Sequence, residues 1–314
     1  MNIKTKTIHL ASTQGFCAGV HTALEIIEMA IKQFGTPLYI RHHIVHNTTV
    51  IQDLIKRGII FIENINEVPE GKKVILSAHG SAPSVYKEAK KRNITVIDAT
   101  CPLVKKVHRE AVSLSKKDTQ VILIGHIGHQ ELIGTAGYIK PELLNIVETE
   151  EDIGALKLDT QKPIAYITQT TLSIDDTKSI INKLKEKYPT SQSPSKSDIC
   201  FATQNRQDAI KKLTTTCDII IVCGSPESSN SNRLKETAEK YGVKSYIIDT
   251  HKEFQIEWIE NHTNIGISSG ASVPQKVIDN LIKTIKNTYP KIKTSQEKSI
   301  EKSFLFPLPK LPKQ

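Results

Sequence analysis

The sequence predicts an α/β protein: three pseudo-equivalent units, each a mainly parallel sheet covered by helices, with strand exits converging on a central site. Three observations carry this. Short apolar, β-branched runs alternate with helical patterns along most of the chain, as in successive βαβ units. The alternation falls into comparable thirds, and 314 residues exceed a typical single core. Polar clusters and cysteines recur where apolar runs end, and open parallel sheets collect ligands at the carboxyl ends of their strands.

Residues 8–11 read as a strand. The next helix repeats apolar residues at Val20, Leu24, Ile27, Ile31 and Phe34, and it stops at Gly35 before Pro37. A strand from 38 leads into HHIVHN. A helix over 48–57 and a strand over 59–62 follow. Strand 74–76 runs into Ser77-Ala78-His79-Gly80, helix 84–92 comes next, and strand 94–97 ends in DATCPLVKKVH. In the middle third, strand 121–124 ends in GHIGHQELIGT. A strand at 146–147, an acidic helix near 150–156 and strand 164–167 follow, the last ending in TQTT. Ser173 then caps a helix with Asp175 and Asp176 in its first turn. The Ser-, Pro- and Lys-rich TSQSPSKSD reads as a linker. The last third opens at Cys200 with a helical pattern. Strand 218–222 ends in CGSPESSNSNR, helix 233–241 stops at Gly242, and strands 245–248 and 264–267 precede a helix over 273–286. Beyond Tyr289 the chain is basic, lacks a helical period and reads as a disordered tail, with Phe304-Leu305-Phe306 able to dock on the body. The expected division is 1–100 (with Cys17), 101–198 (with Cys101), 199–286 (with Cys200) and the tail 287–314.

The net charge of +9 comes largely from scattered lysines and the tail, which points to solvated helix faces. Few aromatic residues weaken a base-stacking role. No apolar stretch approaches the roughly 18–20 residues that span a bilayer. MNIKTKTIHLAS carries no long apolar run of a signal peptide. The expectation is a cytoplasmic protein engaging neither membrane nor nucleic acid. Five cysteines in that setting argue against a disulfide framework and leave metal, catalysis or core packing.

Cys101 follows a strand, with Pro102 in the first helical turn, where its missing N–H costs nothing. Unpaired N–H groups and the helix dipole there favour thiolate. Cys17 and Cys200 repeat the arrangement. By their wide spacing alone, unlike compact ferredoxin patterns, small buried thiols would win; placement at helix starts brings the metal reading level with them. On the metal reading the three hold one iron–sulfur cluster, leaving one iron of a four-iron cubane open to substrate oxygen. Cys217 and Cys223 flank or sit in a strand and read as core. His46, His79 and His129 lie in loops beyond apolar runs and suit anion binding or proton delivery; His42, His43 and His126 read as structural. SSNSN and SSGAS offer hydroxyls, amides and N–H groups that suit phosphate, against ordinary N-capping by Ser231 and Ser272. With the histidines they suggest a diphosphate. Glu131, two residues past His129, reads as a proton donor whose ionisation nearby negative charge disfavours, against a cap or a lysine partner. A cluster-dependent hydro-lyase, and a redox-sensing or RNA-binding module, remain open.

GFCAGV, IVHN, SAHG, DATCPLV, the His-x-Glu of GHIGHQELIGT, TQTTLS, DICFATQNRQ and SSNSNRL together resemble the 4-hydroxy-3-methylbut-2-enyl diphosphate reductase family, over about residues 8–285. The resemblance implies a cloverleaf of three α/β units around one 4Fe–4S cluster per chain, ligated by Cys17, Cys101 and Cys200. It implies the last step of the non-mevalonate isoprenoid pathway, in which two electrons and two protons remove an allylic hydroxyl to give isopentenyl and dimethylallyl diphosphate. His46, His79, Ser228, Ser229, Asn230 and Ser272 would hold the diphosphate, with His129 lining the pocket. Thr170 would touch the substrate hydroxyl, Glu131 would supply protons, and reduced ferredoxin or flavodoxin would supply electrons. His21-Thr22, His43, Gln130 and Pro226-Glu227 depart from the family pattern.

Overall fold

The computed structural model describes residues 6–296 and 305–313. The first third holds β1 (Thr7–Leu10), α1 (Ala18–Phe34), β2 (Leu38–Arg41), α2 (Thr48–Lys56), β3 (Ile59–Ile62), β4 (Lys73–Leu76), α3 (Pro83–Lys91) and β5 (Thr95–Asp98). The middle third holds α4 (Pro102–Lys116), β6 (Gln120–Ile124), α5 (Gln130–Ala136), β7 (Leu144–Val147), α6 (Glu150–Ala155), β8 (Ile164–Thr168) and α7 (Ile174–Lys187). The last third holds α8 (Phe201–Thr214), β9 (Ile219–Cys223), α9 (Ser229–Lys240), β10 (Lys244–Ile248), β11 (Asn264–Ser269), α10 (Gln275–Thr288) and β12 (Lys293–Gln296).

The strands form three sheets, ordered β3-β2-β4-β5, β7-β6-β8 and β10-β9-β11-β1-β12. Their pairings are parallel, as the alternating pattern predicts. Central strands of such sheets are covered on both faces and read as continuous apolar runs. QVILI of β6 and IIIVC of β9 are accordingly buried at every position. One face of the five-stranded sheet carries Ile221, Ile265 and Ile267 against Val277, Ile278 and Leu281 of α10. Its other face carries Ile220 and Val222 against Ile210 and Leu234.

The chain divides into two compact units. One comprises Met1–Val20, Val45–Leu54 and Phe201–Leu305; the other comprises His21–Ile44, Ile55–Cys200 and Phe306–Gln314. Two expectations change here. β1 pairs with β11 and β12, with Ile8 opposite Ile265, so Cys17 belongs with the last third and not with 1–100. Ile8 and Leu10 complete the core around Ile265 and Ile267, and that burial outweighs proximity in sequence. The tail expected from 287 is partly regular: α10 reaches Thr288, and Lys293–Gln296 form an edge strand on β1. This KTSQ strand is exposed at every position, so only backbone pairing holds it and no hydrophobic alternation announces it. Residues 305–313 carry no regular secondary structure. Pro312 O there accepts a bond from Gln33 Nε2 at 2.8 Å. Leu305 is exposed and Phe306 half-buried, while Phe304 lies outside the described residues.

Two boundaries bear on the site. GHIGHQELIGT contains the helix α5, and α9 starts at Ser229, four residues before the expected start, so most of SSNSN is a first helical turn. No helix among the described residues is long and apolar enough to cross a membrane.

Candidate active site

In the unit of the five-stranded sheet, the candidate side chains follow β1, β9 and β11, and His46 joins them just before α2. Cys17 N donates to Ala271 O at 3.0 Å, and Val20 N donates to Cys17 Sγ at 3.4 Å. The sulfur therefore accepts a first-turn N–H of α1. Ser228, and not Ser231, caps α9: its Oγ accepts from Ser231 N at 3.4 Å. Asn230 is buried. Its Oδ1 accepts from Ala271 N at 2.9 Å and its Nδ2 donates to Thr203 Oγ1 at 3.4 Å, which ties the exits of β9 and β11 together. A Cβ at Gly224 or Gly270 would collide with Ser231 Oγ, so both glycines are needed where α9 starts between these exits. Ser272 Oγ donates to His46 O at 3.2 Å. Across from it, Glu227 Oε2 stands 3.9 Å from His46 Nδ1. This unit thus gathers His46, Asn230 and Ser272, with Cys17 tied to the same loop.

The other unit holds Cys101, Cys200, His79, His129, Glu131 and Thr170. Cys101 is the N-cap of α4, with Pro102 in the first helical turn, and its N donates to Ala78 O at 3.1 Å. Cys200 immediately precedes α8, and its N donates to Thr170 O at 3.1 Å. His129 caps α5: its Nδ1 accepts from Glu131 N at 3.1 Å, so that nitrogen is bare and the proton resides on Nε2. His79 and His129 meet edge to face, with ring centroids 5.8 Å apart.

Glu131 is only 2 % exposed. Its Oε1 accepts from Thr170 N at 2.7 Å and its Oε2 from Thr170 Oγ1 at 3.0 Å. Burial pushes its carboxyl up to about 7, against the two bonds from Thr170, which pull it down; Asp198 adds a small push. Desolvation therefore does what the sequence reading assigned to neighbouring charge. Glu131 is neither the cap, which is His129, nor held by a lysine. Thr170 joins it to Cys200 through its own N and O.

Sequence reasoning missed Asp198, which it placed in a linker. This buried carboxylate accepts from Thr168 N at 3.0 Å and pairs with Lys106 Nζ at 3.0 Å. Nothing local in PSKSD distinguishes it from a solvated acid. His42 and His126 bond Glu63 and Glu148, in line with structural roles. Of the departing positions, Gln130 opens α5, and His43 is exposed with its ring edge against Phe61.

All five cysteines are free thiols. Cys217 and Cys223 are buried, and burial pushes each thiol up to about 12, so they stay protonated. Cys17, Cys101 and Cys200 are half-buried at helix starts. As donors these three suit a thiolate-bound metal group and the other two do not.

The class that emerges is an α/β enzyme with thiols, imidazoles and a near-neutral acid at the carboxyl ends of parallel strands. The chain belongs to the LytB protein family, whose model matches residues 8–286. A 4-hydroxy-3-methylbut-2-enyl diphosphate reductase of Nitrosomonas europaea is 45% identical over 309 residues, covering 96% of this chain and 95% of the relative. The enzyme of that name from Neisseria meningitidis serogroup C is 45% identical over 305 residues, 97% of this chain and 94% of its own. Among solved structures, the E-1-hydroxy-2-methyl-but-2-enyl-4-diphosphate reductase of Plasmodium falciparum superposes with a TM-score of 0.93 at 38% identity, covering 98% of this chain and 96% of that one. A structure of (E)-4-hydroxy-3-methyl-but-2-enyl diphosphate reductase, described as the terminal enzyme of the non-mevalonate pathway, gives 0.64 at 32% identity, covering 90% and 99%.

Proposed function

We propose that this chain removes the allylic hydroxyl of (E)-4-hydroxy-3-methylbut-2-enyl diphosphate. Two electrons and two protons give isopentenyl or dimethylallyl diphosphate and water. The observation that carries the reading is the buried Glu131–Thr170 pair: an acid titrating near neutrality, hydrogen-bonded to a hydroxyl. The relatives' names support the substrate and the pathway step.

Cys17, Cys101 and Cys200 would hold one 4Fe–4S cluster. When bound, it supplies the electrons and a Lewis-acidic iron for the hydroxyl oxygen. The chain's own residues manage charge and protons. His46, His79, Ser228, Ser229, Asn230 and Ser272 bind the diphosphate, and His129 lines the pocket with its Nε2–H. When Glu131 is protonated, its O–H donates to Thr170 Oγ1, and the threonine hydroxyl turns its own proton toward the substrate oxygen. One proton passes by this route to release water, and the second must reach the allyl carbon. Reduced ferredoxin or flavodoxin serves as electron donor, in the cytoplasm.

The test is anaerobic purification with iron and sulfide analysis, followed by turnover of the allylic diphosphate with and without a strong reductant. About four irons per chain and a strict need for reductant are expected. Product formed without reductant would point to a hydro-lyase.

Two smaller effects concern the diphosphate. Asn230→Ala should weaken binding of the product diphosphates by about 1–3 kcal/mol, since it removes a phosphate contact and frees the 271–272 loop. Its iron content should match the parent, and calorimetric titration reads the change. Glu227→Gln removes a carboxylate 3.9 Å from His46 Nδ1. Binding should tighten, by no more than about 1 kcal/mol because Glu227 is exposed. Weaker binding in that variant would mean that Glu227 helps to orient His46.

A further inference from the structure

Val45–Leu54 lie between β2 and β3 in sequence, yet they belong to the unit of the five-stranded sheet. A carboxylate fastens them there. Asp249, just past β10, is 7 % exposed. Its Oδ1 accepts from Asn47 Nδ2 at 3.2 Å and its Oδ2 accepts from Thr48 N at 3.1 Å. Thr48 opens α2, and Asn47 caps it by accepting from Val50 N at 3.1 Å. A carboxylate from 201 residues further along thus faces the start of α2, where the dipole favours negative charge. A hydrogen bond to a carboxylate is stronger than one between neutral groups. Asp249 is itself held: its N donates to Glu253 Oε2 at 3.1 Å.

His46 directly precedes this turn. Its carbonyl is held by Ser272 Oγ, and Asp249 holds the next two residues. We propose that Asp249 is a positioning residue for anion binding: by clamping Asn47 and Thr48 it sets the His46 imidazole beside Asn230 and Ser272. The proposal rests on the diphosphate reading of that site. Asp249 touches no substrate and acts through His46.

Asp249→Asn keeps volume but turns an N–H toward one of two donors, leaving one unmade bond. Asn47→Asp keeps the cap of α2 and opposes two carboxylates. Both variants should raise KM for the allylic diphosphate and Kd for the product diphosphate about ten-fold or more. Turnover at saturation and iron content should stay close to the parent, while the thermal midpoint falls by the few degrees that one lost buried bond costs. A purely structural role would not give that split. In a His46→Ala background, Asp249→Asn should cost less than about two-fold further, because residues acting through one contact are not additive. Full additivity, or parent-like binding by both single variants, overturns the proposal alone. A parent enzyme that fails to bind the product diphosphate overturns the diphosphate reading and the proposal with it.

Discussion

Glu131→Gln is expected to keep its iron and its affinity for product diphosphate and to lose roughly 10²–10⁴-fold in turnover. The geometry makes this a clean substitution. Thr170 N reaches Oε1 at 2.7 Å, and a glutamine oxygen accepts the same bond. Thr170 Oγ1 lies 3.0 Å from Oε2, and a hydroxyl can accept from the glutamine N–H as it would from a protonated carboxyl. Shape and contacts persist while the transferable proton is lost. Turnover of the parent should fall as pH rises through about 7, as burial raises the carboxyl to that value and the ionised form donates nothing. The variant should lack that limb. Stability gives an independent check. The folded-state value lies above the ordinary 4.5, so between the two the folded protein holds a proton the unfolded chain has released. The group's stabilising contribution is then full below 4.5 and is lost as pH rises to about 7. The glutamine variant should show a flatter decline over that window in denaturant titrations. A variant within a few-fold of parent turnover would move the donor role to His129, whose Nε2 carries its proton.

Cys17→Ser, Cys101→Ser and Cys200→Ser should each lose most of the bound iron and sulfide, and with it nearly all turnover. A serine hydroxyl is a far poorer iron donor than a thiolate, and each of these cysteines stands half-buried at a helix start. Cys217→Ala and Cys223→Ala should keep the iron. Burial holds both thiols protonated up to about 12, and they pack among β-strand side chains. Their cost should appear as lowered stability, since truncating a buried side chain leaves a small cavity. Iron and sulfide assays on anaerobically purified variants distinguish the two groups. Loss of iron in either alanine variant, with iron retained in one of the serine variants, would reassign the ligands.

The sequence alone was enough for the features that depend on neighbours along the chain. Apolar runs located every strand from β1 to β11, and the 3.6-residue period located α1 and its stop at Gly35. Ser173 was legible as the cap of α7, and the structure has its Oγ accepting from Asp176 N. The positions of Cys17, Cys101 and Cys200 at helix starts followed from the same local signals. GHIGHQELIGT was legible as a polar strand exit but not as α5, because a helix of 7 residues carries little periodicity.

Tertiary structure alone decided which strands pair and which polar groups are buried. Parallel neighbours are joined by crossovers, and the apolar pattern does not say which strand a crossover reaches: β2 pairs with the next strand, β3, whereas β1 pairs with strands from the far end of the chain. Hence β1 could join the last third, and β12, exposed throughout, could join β1 by backbone bonds alone. Glu131 was legible as a proton donor but not as a buried one, and Asp198 and Asp249 sit in stretches where nothing local marks them as buried. Each is buried by residues distant in the chain: Thr170 for the first, Lys106 for the second, Asn47 for the third. A carboxylate's ionisation and strength of contact depend on the water excluded around it. That exclusion exists only once the sheets and helices have packed.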